Sequence, residues 1–502
     1  MLASPVLTIG LLYTWITPLW LISVGVALGT CLLAVVAGIL FLVWRNGFDY
    51  LVSSVREGIL LPIFYLAVVL TGFAVLAPLL VPGVPVQGVW DSVTRIPAVG
   101  TQSWSFEVPA SSSEFELEEF HFPLAELYAF SVSADRPVML STNITSNLGQ
   151  RLTMKVVPGD EAVWQKPIVE EKRRAAQDPF TEWVVTNTNT SPVKLELRTI
   201  TDIEFPQVRV VPYTALALLG LVGAYLAVRL ASPKVGAIAV TTAKEAMSQP
   251  LFYLALGVGA VVLVAFIFIP YNTFGEDIKM LKDSGLIWIM ICGIIVAVWS
   301  ASVSVSEEVE GRTALTVLSK PVKRWQFILG KFLGVLGPVV VLFITLGFLF
   351  LVTVSYKVVY DATETAQTEP PWQYCYLELI MIVPGLVLAF FETVVLAAIS
   401  VAISTRLPTL ANLLVCSSIY VLGHLVPMIV NSSVGDFEIV RFFGQFIATV
   451  LPVLDHFNIQ AAVAAGATVP PAYLGMAFLY CLLYTTIALL LGLAMFEDRD
   501  LA

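Results

Sequence analysis

SEEVEGRTALTVLSKPVKRWQFILGKFLG, residues 306–334, decides the fold because it is strongly charged and has a long apolar run on each side. Leu286–Val305 before it and Phe332–Val354 after it are each long enough to cross a bilayer, whose hydrocarbon core of about 30 Å takes roughly 20 helical residues. A charged connection between two such runs reads as a hairpin on one face of a membrane. Arg312, Lys320, Lys323, Arg324 and Lys331 put that face in the cytoplasm, because basic residues in short loops are kept inside.

The composition of the whole chain agrees. Of its 502 residues 58% are hydrophobic and only 13% charged, with a mean hydropathy of +0.86, too apolar for a soluble fold of this length. The net charge of -10 argues against a basic surface for nucleic acid. The five cysteines, Cys31, Cys292, Cys375, Cys416 and Cys481, lie in or beside apolar runs without a CxxC pair. They read as small buried apolar residues, not as a disulfide framework or a metal site.

Hydropathy gives nine spans. Three come early, at Leu19–Trp44, Ile59–Val81 and Tyr213–Leu230. Six follow, at Leu251–Ile269, Leu286–Val305, Phe332–Val354, Leu377–Ile403, Leu410–Val430 and Tyr473–Met495. Residues 1–16 are also apolar but are cut off by Thr17-Pro18, which predicts a re-entrant or interfacial start. With the hairpin inside, Arg45, Arg56, Arg229, Lys234, Lys244, Arg406 and Arg499 also fall on the cytoplasmic side, against only Lys279, Lys282, Lys357 and Arg441 in short outer loops. That bias places the N-terminus outside and the C-terminus inside.

Residues 82–212 are polar and rich in Ser, Thr, Glu and Pro. Short alternating runs at 115–118, 138–142, 152–157, 183–186 and 193–198, set between turn signals such as Pro158-Gly159-Asp160, predict antiparallel strands packed as a small β-sandwich. The charge bias puts this domain outside the membrane. Glu170-Glu171-Lys172-Arg173-Arg174 reads as a solvated loop of mixed charge.

The order of motifs from residue 236 onward resembles the permease subunit of a type-two ATP-binding-cassette (ABC) exporter. The resemblance rests on Glu307, Glu308 and Glu310 before Gly311-Arg312-Thr313, on Leu318-Ser319-Lys320-Pro321-Val322, on Arg324, and on Gly330-Lys331. Tyr420–His424 (YVLGH), Leu451–Asn458 (LPVLDHFN) and the tail Phe496-Glu497-Asp498-Arg499-Asp500 add to it. In that family the loop between the second and third core helices carries a coupling helix that docks on a separate ATPase. Here it corresponds to the hairpin 306–331, with a short helix near Thr313–Leu318 ended by Pro321, since proline stops a helix and turns the chain. Gly236–Gln249 occupies the place of the family's amphipathic elbow helix, although its own periodicity is weak. Charge pattern alone leaves a second reading of the hairpin open, a solvated helix extension with Glu308 to Arg312 pairing.

The chain lacks a GxxxxGK[ST] phosphate loop, HExxH and GxSxG, and His121, His424 and His456 are scattered, so neither ATP binding nor hydrolytic chemistry is legible in it. Energy must come from a partner. ATP and Mg would be held by that ATPase, with no cofactor in this chain. Inside the spans Glu392 should face the protein interior, since a charge at the bilayer centre costs about 2.5 to 3.5 kcal/mol on insertion scales. It reads either as part of a transport path, together with His424, or as a structural carboxylate joining two helices. Glu378, beside Tyr374 and Tyr376 at a span end, reads as interfacial.

The expected molecule is therefore a polytopic α-helical membrane protein with an inserted extracytoplasmic β-sandwich domain. Residues 1–81 form an N-terminal membrane segment, 82–212 the β-rich domain, 213–235 a connecting helix and 236–502 a six-helix permease core. The resemblance implies a multi-pass protein of the plasma (inner) membrane whose partners are a cytoplasmic ABC ATPase, a second permease copy and membrane lipid. The alternative function is a membrane anchor or sensor that binds an outside partner through its β-domain and signals through an ATPase without transporting.

Overall fold

A computed structural model describes residues 5–56, 59–117, 126–145, 151–165, 183–269, 276–306, 322–365, 369–430 and 438–497. The chain divides into two compact units, Met1–Val84 with Val210–Ala502, and Pro85–Arg209.

The first unit is helical. It begins with α1 (Pro5–Val43), α2 (Arg45–Arg56) and α3 (Leu61–Leu80). At 1.5 Å per residue the 39 residues of α1 extend about 58 Å. Contrary to the expected break at Thr17-Pro18, the helix runs straight through Pro18. Proline is tolerated inside apolar membrane helices because neighbouring helices and side chains support the loosened turn, and the adjacent Thr17 hydroxyl donates one turn back to Tyr13 O at 2.7 Å. The segment before Pro18 also packs inward. Ser355 Oγ donates to Trp15 O at 2.8 Å, and the Trp15 and Tyr356 rings meet edge to face at 5.7 Å.

The second unit contains α4 (Val86–Arg95) and eight strands: β1 (Thr101–Val108), β2 (Ser112–Glu116), β3 (Leu127–Ala134), β4 (Val138–Thr145), β5 (Arg151–Val156), β6 (Ala162–Gln165), β7 (Trp183–Asn187) and β8 (Val193–Thr201). They pair antiparallel in two four-stranded sheets, ordered β1-β8-β3-β6 and β2-β7-β4-β5. Strict alternation in β8 buries Val193, Leu195, Leu197 and Thr199 and exposes the residues between them, as a strand with one solvated face requires. Inward side chains of both sheets share one apolar core, in which Phe130 meets Trp183 edge to face at 4.7 Å. The expected turn at Pro158-Gly159-Asp160 is present, with Gly159 at φ +80° and Asp160 N–H donating to Val157 O. Arg95 pairs with Glu126 at 2.9 Å. Burial nevertheless pushes the Glu126 carboxyl above its ordinary range, against the pull of Arg95.

After the sheets the helical unit resumes with α5 (Val210–Ala231), α6 (Pro233–Ser248), α7 (Pro250–Phe268) and α8 (Asp277–Ala301), which passes into a π-helical turn at Ser302–Ser306. It continues with α9 (Arg324–Glu364), α10 (Trp372–Ile380), α11 (Val383–Ser404), α12 (Thr409–Val430), α13 (Glu438–Val450), α14 (Gln460–Ala464) and α15 (Pro471–Glu497). Helices α8, α9, α11 and α15 contribute most of the shared apolar core. Among the described residues eight helical segments are long and apolar enough to cross a membrane. The ninth expected span is α12, whose apolar part is described over Thr409–Leu425. The expected span at Leu377–Ile403 falls within one candidate span, Trp372–Ser404, which carries a turn at Met381-Ile382 between α10 and α11.

The four cations assigned above to short outer loops, Lys279, Lys282, Lys357 and Arg441, all lie in helices instead, and two of them are buried. Lys282 of α8 is 1% exposed and pairs with Glu378 of α10, and Lys357 of α9 is 2% exposed and pairs with Asp361 at 2.8 Å. Each cation is held inside the bundle by a carboxylate, which is what makes its burial tolerable. Glu378 is thereby the partner of a buried lysine.

Candidate functional site

Glu307, Glu308, Glu310, Gly311, Arg312, Thr313, Lys320 and Pro321, and with them the expected short helix at 313–318, lie outside the described residues. The two stems of that hairpin are described, and each is held by a specific polar or close-packed contact.

The incoming stem is the π-helical turn Ser302–Ser306. A π turn inserts one residue into the helical ladder and leaves groups for side chains to satisfy. Ser306 Oγ donates to Leu407 O at 2.7 Å, and Ser302 Oγ donates to Val298 O at 2.7 Å. Asn412, fully buried on α12, brings its Nδ2 to 2.6 Å from Ser302 Oγ and to 2.8 Å from both Ser400 Oγ and Ser404 Oγ of α11. An amide nitrogen has two N–H bonds, so three hydroxyls compete for two donors. Cys416 Sγ donates to Asn412 Oδ1 at 3.3 Å. Helices α8, α11 and α12 are thus joined through one buried side chain, which the sequence shows only as isolated polar residues in three separate apolar runs.

The outgoing stem is the start of α9. Arg324 donates from Nη1 to Glu497 O at 2.6 Å and lies over the Phe496 ring at 5.9 Å, while Phe327 stacks on Phe496 at 5.5 Å. Arg406, just past α11, donates from Nε to Met495 O at 2.7 Å. Two guanidinium groups from different elements therefore cap the last carbonyls of α15, the end of a helix that carries negative partial charge. The structure brings together two of the motifs singled out above, Arg324 and the Phe496-Glu497 tail. Gly330 does a different job. A methyl carbon placed there would lie 2.7 Å from Ile238 Cβ, and one on Gly334 would lie 2.5 Å from Thr242 Cβ and 2.9 Å from Ala239 O. The glycines let α6 lie backbone to backbone against α9, as small residues do between membrane helices. Gly236–Gln249 is thus largely the helix α6, seated on the outgoing stem. Lys331 is buried, with Nζ 5.7 Å from the Phe327 ring centre.

Deeper in the bundle Glu392 of α11 is fully buried, and His424 of α12 brings Nε2 to 3.5 Å from its Oε1. His424 Nδ1 lies 3.1 Å from Tyr420 O, one turn back on the same helix. If Nδ1–H serves that carbonyl, Nε2 faces Glu392 either as a donor in an imidazolium or as an acceptor of a carboxyl proton. At 3.5 Å the imidazole and the carboxyl stand within ion-pair range without a hydrogen bond between them. Neither Glu392 oxygen has a hydrogen-bond partner among the described residues. The YVLGH and LPVLDHFN motifs are packed together here too, since a methyl carbon on Gly423 would meet Leu454 Cγ at 2.8 Å and Pro452 O at 3.0 Å. No group of three or more metal-ligating side chains occurs among the described residues.

The geometry is that of a helical bundle in which the two described stems beside residues 307–321 are held by polar and close-packed contacts, with a Glu–His pair deeper inside, and family comparison agrees with it. The family described as ABC-2 family transporter protein matches residues 143–501, more than two thirds of the chain. The match begins well upstream of residue 236, inside β4, and so takes in part of the β unit and α5 as well as the helices from α6 to α15. No curated protein matches the chain. The chain belongs to the ABC-2 transporter family and is a multi-pass membrane protein.

Proposed function

We propose that the chain is the membrane-spanning permease of an ATP-driven exporter of the plasma membrane, working as a pair of permeases with a separate cytoplasmic ATPase. The observation that carries this reading is the anchoring of both hairpin stems: the Asn412 network fixes the incoming one, and the Arg324–α15 contact with the α6–α9 glycine seam fixes the outgoing one. A force applied to a loop moves helices only if the loop cannot yield, and here each stem is tied to at least two other helices. The coupling surface in this proposal lies within residues 306–331, with the buried Ser306, Gly330 and Lys331 anchoring it to the bundle. Glu307, Glu308, Glu310, Arg312, Lys320 and Arg324 supply charge for the ATPase, and Gly311, Thr313 and Pro321 belong to the same contact.

ATP and Mg are bound by the partner, and nucleotide binding shifts the permease pair between inward-open and outward-open states because it favours one of them. The Glu392–His424 pair lines the transport path in this proposal, a reading supported by a carboxyl buried inside the bundle with an imidazole 3.5 Å away. The unit Pro85–Arg209 is an extracytoplasmic β-sandwich, a reading supported by its two sheets around a shared core and by the charge bias of the loops. Nucleotide hydrolysis tests the division of labour. The purified chain alone should hydrolyse no ATP, and robust hydrolysis by a partner-free preparation would contradict it.

A further inference from the structure

We infer that the N-terminal helices hold one anionic phospholipid, its acyl chain in a cavity between α1, α2, α3 and α5 and its phosphate at Arg229 and Arg56. The cavity measures about 170 Å³ and is almost purely apolar. Ala34 and Ala37 line it from α1, Leu51 and Val55 from α2, Ile63 from α3 and Val222 from α5. An apolar cavity of about 150 Å³ in a soluble protein stays dry and takes up apolar guests. In a membrane protein the apolar guest at hand is a lipid tail.

Three further observations choose an anionic phospholipid over a bare hydrocarbon. First, α2 is an amphipathic helix with Arg45 and Arg56 at its two ends, the form of a helix that lies in the headgroup layer. It covers the cavity with Leu51 and Val55, so the cavity ends where headgroups begin. Second, Leu218, Val222, Tyr225 and Arg229 recur at helical spacing along one face of α5, so the stripe that lines the cavity continues directly into a cation. Arg229 is seven residues past Val222, about 10 Å along the axis, a distance that separates a phosphate from the upper methylenes of its own tail. Third, the Arg229 guanidinium is oriented by aromatic faces, 5.2 Å from the Tyr50 ring centre and 5.8 Å from that of Tyr225. Tyr225 is tied in turn to α2, its hydroxyl 3.5 Å from Ser54 O. Arg229 Nη1 reaches the Tyr225 hydroxyl at 3.5 Å, and the remaining N–H groups of the planar guanidinium are donors that suit a phosphate. Arg56 follows the lining residue Val55 directly and is exposed. Asp49 is the acidic residue described on α2, and it lies on a different face from Leu51 and Val55.

The test uses the full-length protein purified in detergent and exposed to phosphatidylglycerol or phosphatidylcholine, with bound lipid counted by native mass spectrometry. Wild type should retain one phosphatidylglycerol in preference to phosphatidylcholine. Each guanidinium removed, by Arg229→Gln or Arg56→Gln, should lower that preference about fivefold. Ala34→Phe, placed on the open side of the cavity, should abolish retention of either lipid. Equal retention by wild type and Ala34→Phe, or an unchanged preference after both arginine substitutions, would overturn the inference. A second measurement needs no variant. Phosphatidylglycerol with a photoreactive group on its acyl chain should label wild-type protein chiefly on the lining helices, within 30–67 and 218–222, and labelling spread evenly over the exposed faces of α7 and α15 would overturn the inference equally.

Discussion

Asn412 shows what one residue can do in an apolar bundle. Its amide is the donor for hydroxyls on α8 and α11 and the acceptor for Cys416 on its own helix. Replacing it with alanine leaves those hydroxyls to their own backbone carbonyls and opens a small void. Leaving a buried polar group unsatisfied costs about 1 to 3 kcal/mol. Asn412→Ala should therefore lower the thermal unfolding midpoint of the detergent-purified protein while Ser417→Ala, at an exposed position of the same helix, leaves it unchanged. An unchanged midpoint for Asn412→Ala would mean that the network adds nothing to stability. Glu392 was legible in the sequence because a carboxylate among Phe391, Thr393 and Val394 is conspicuous. Its partner was not, because His424 is 32 positions away and only the packing of α11 on α12 joins them. Asn412 was missed for a related reason: asparagine and serine barely disturb hydropathy, and their convergence is a property of three helices at once.

At the scale of elements the same blindness to pairing explains the misplaced lysines. Lys282 and Lys357 look like loop cations because they stand near the ends of apolar runs, yet α8 begins at Asp277 and α9 runs on to Glu364. What permits the longer helices is a carboxylate for each lysine, supplied from 96 residues away in one case and from the next helical turn in the other. Breaking such a pair costs more than deleting it, because an unpaired buried charge remains. Lys282→Met with Glu378→Leu should be nearly neutral, whereas Glu378→Leu alone should destabilise by about 3 to 5 kcal/mol. A double-substitution cycle read by thermal unfolding decides this, and equal losses from the single and double changes would show that the ion pair is not what holds α10 against α8. Strands followed the opposite pattern. β8 announces itself through Val193-Lys194-Leu195-Glu196-Leu197, whereas β3 reads Leu127-Tyr128-Ala129-Phe130, with adjacent apolar residues and no clean period of two, and β6 is only four residues long.

For the whole molecule, hydropathy made the helical membrane bundle legible, and the ordered motifs from Glu307 to the Phe496-Glu497 tail made the family legible. Neither could show that the tail returns to Arg324 or that α6 seats on Gly330 and Gly334, since those contacts join segments far apart in the chain. The start of the chain was misread because Pro18 stops a helix in water but is carried inside a membrane helix by its neighbours. Sidedness has its own test. Single cysteines introduced at Ser112 and Ser319 should react differently with a membrane-impermeant thiol reagent in intact cells, with Ser112→Cys labelled and Ser319→Cys protected. The opposite pattern would invert the topology. The central claim, that residues 306–331 grip a separate ATPase, is tested most directly by co-purifying that ATPase with wild-type chain and with Glu310→Ala/Arg312→Ala. Truncating one side of a buried charged pair at an interface costs about 2 to 5 kcal/mol, and with 1.4 kcal/mol per decade the substituted chain should lose its partner by well over tenfold while still inserting normally in the membrane. Retention of the ATPase and of its activity at wild-type levels would contradict the account.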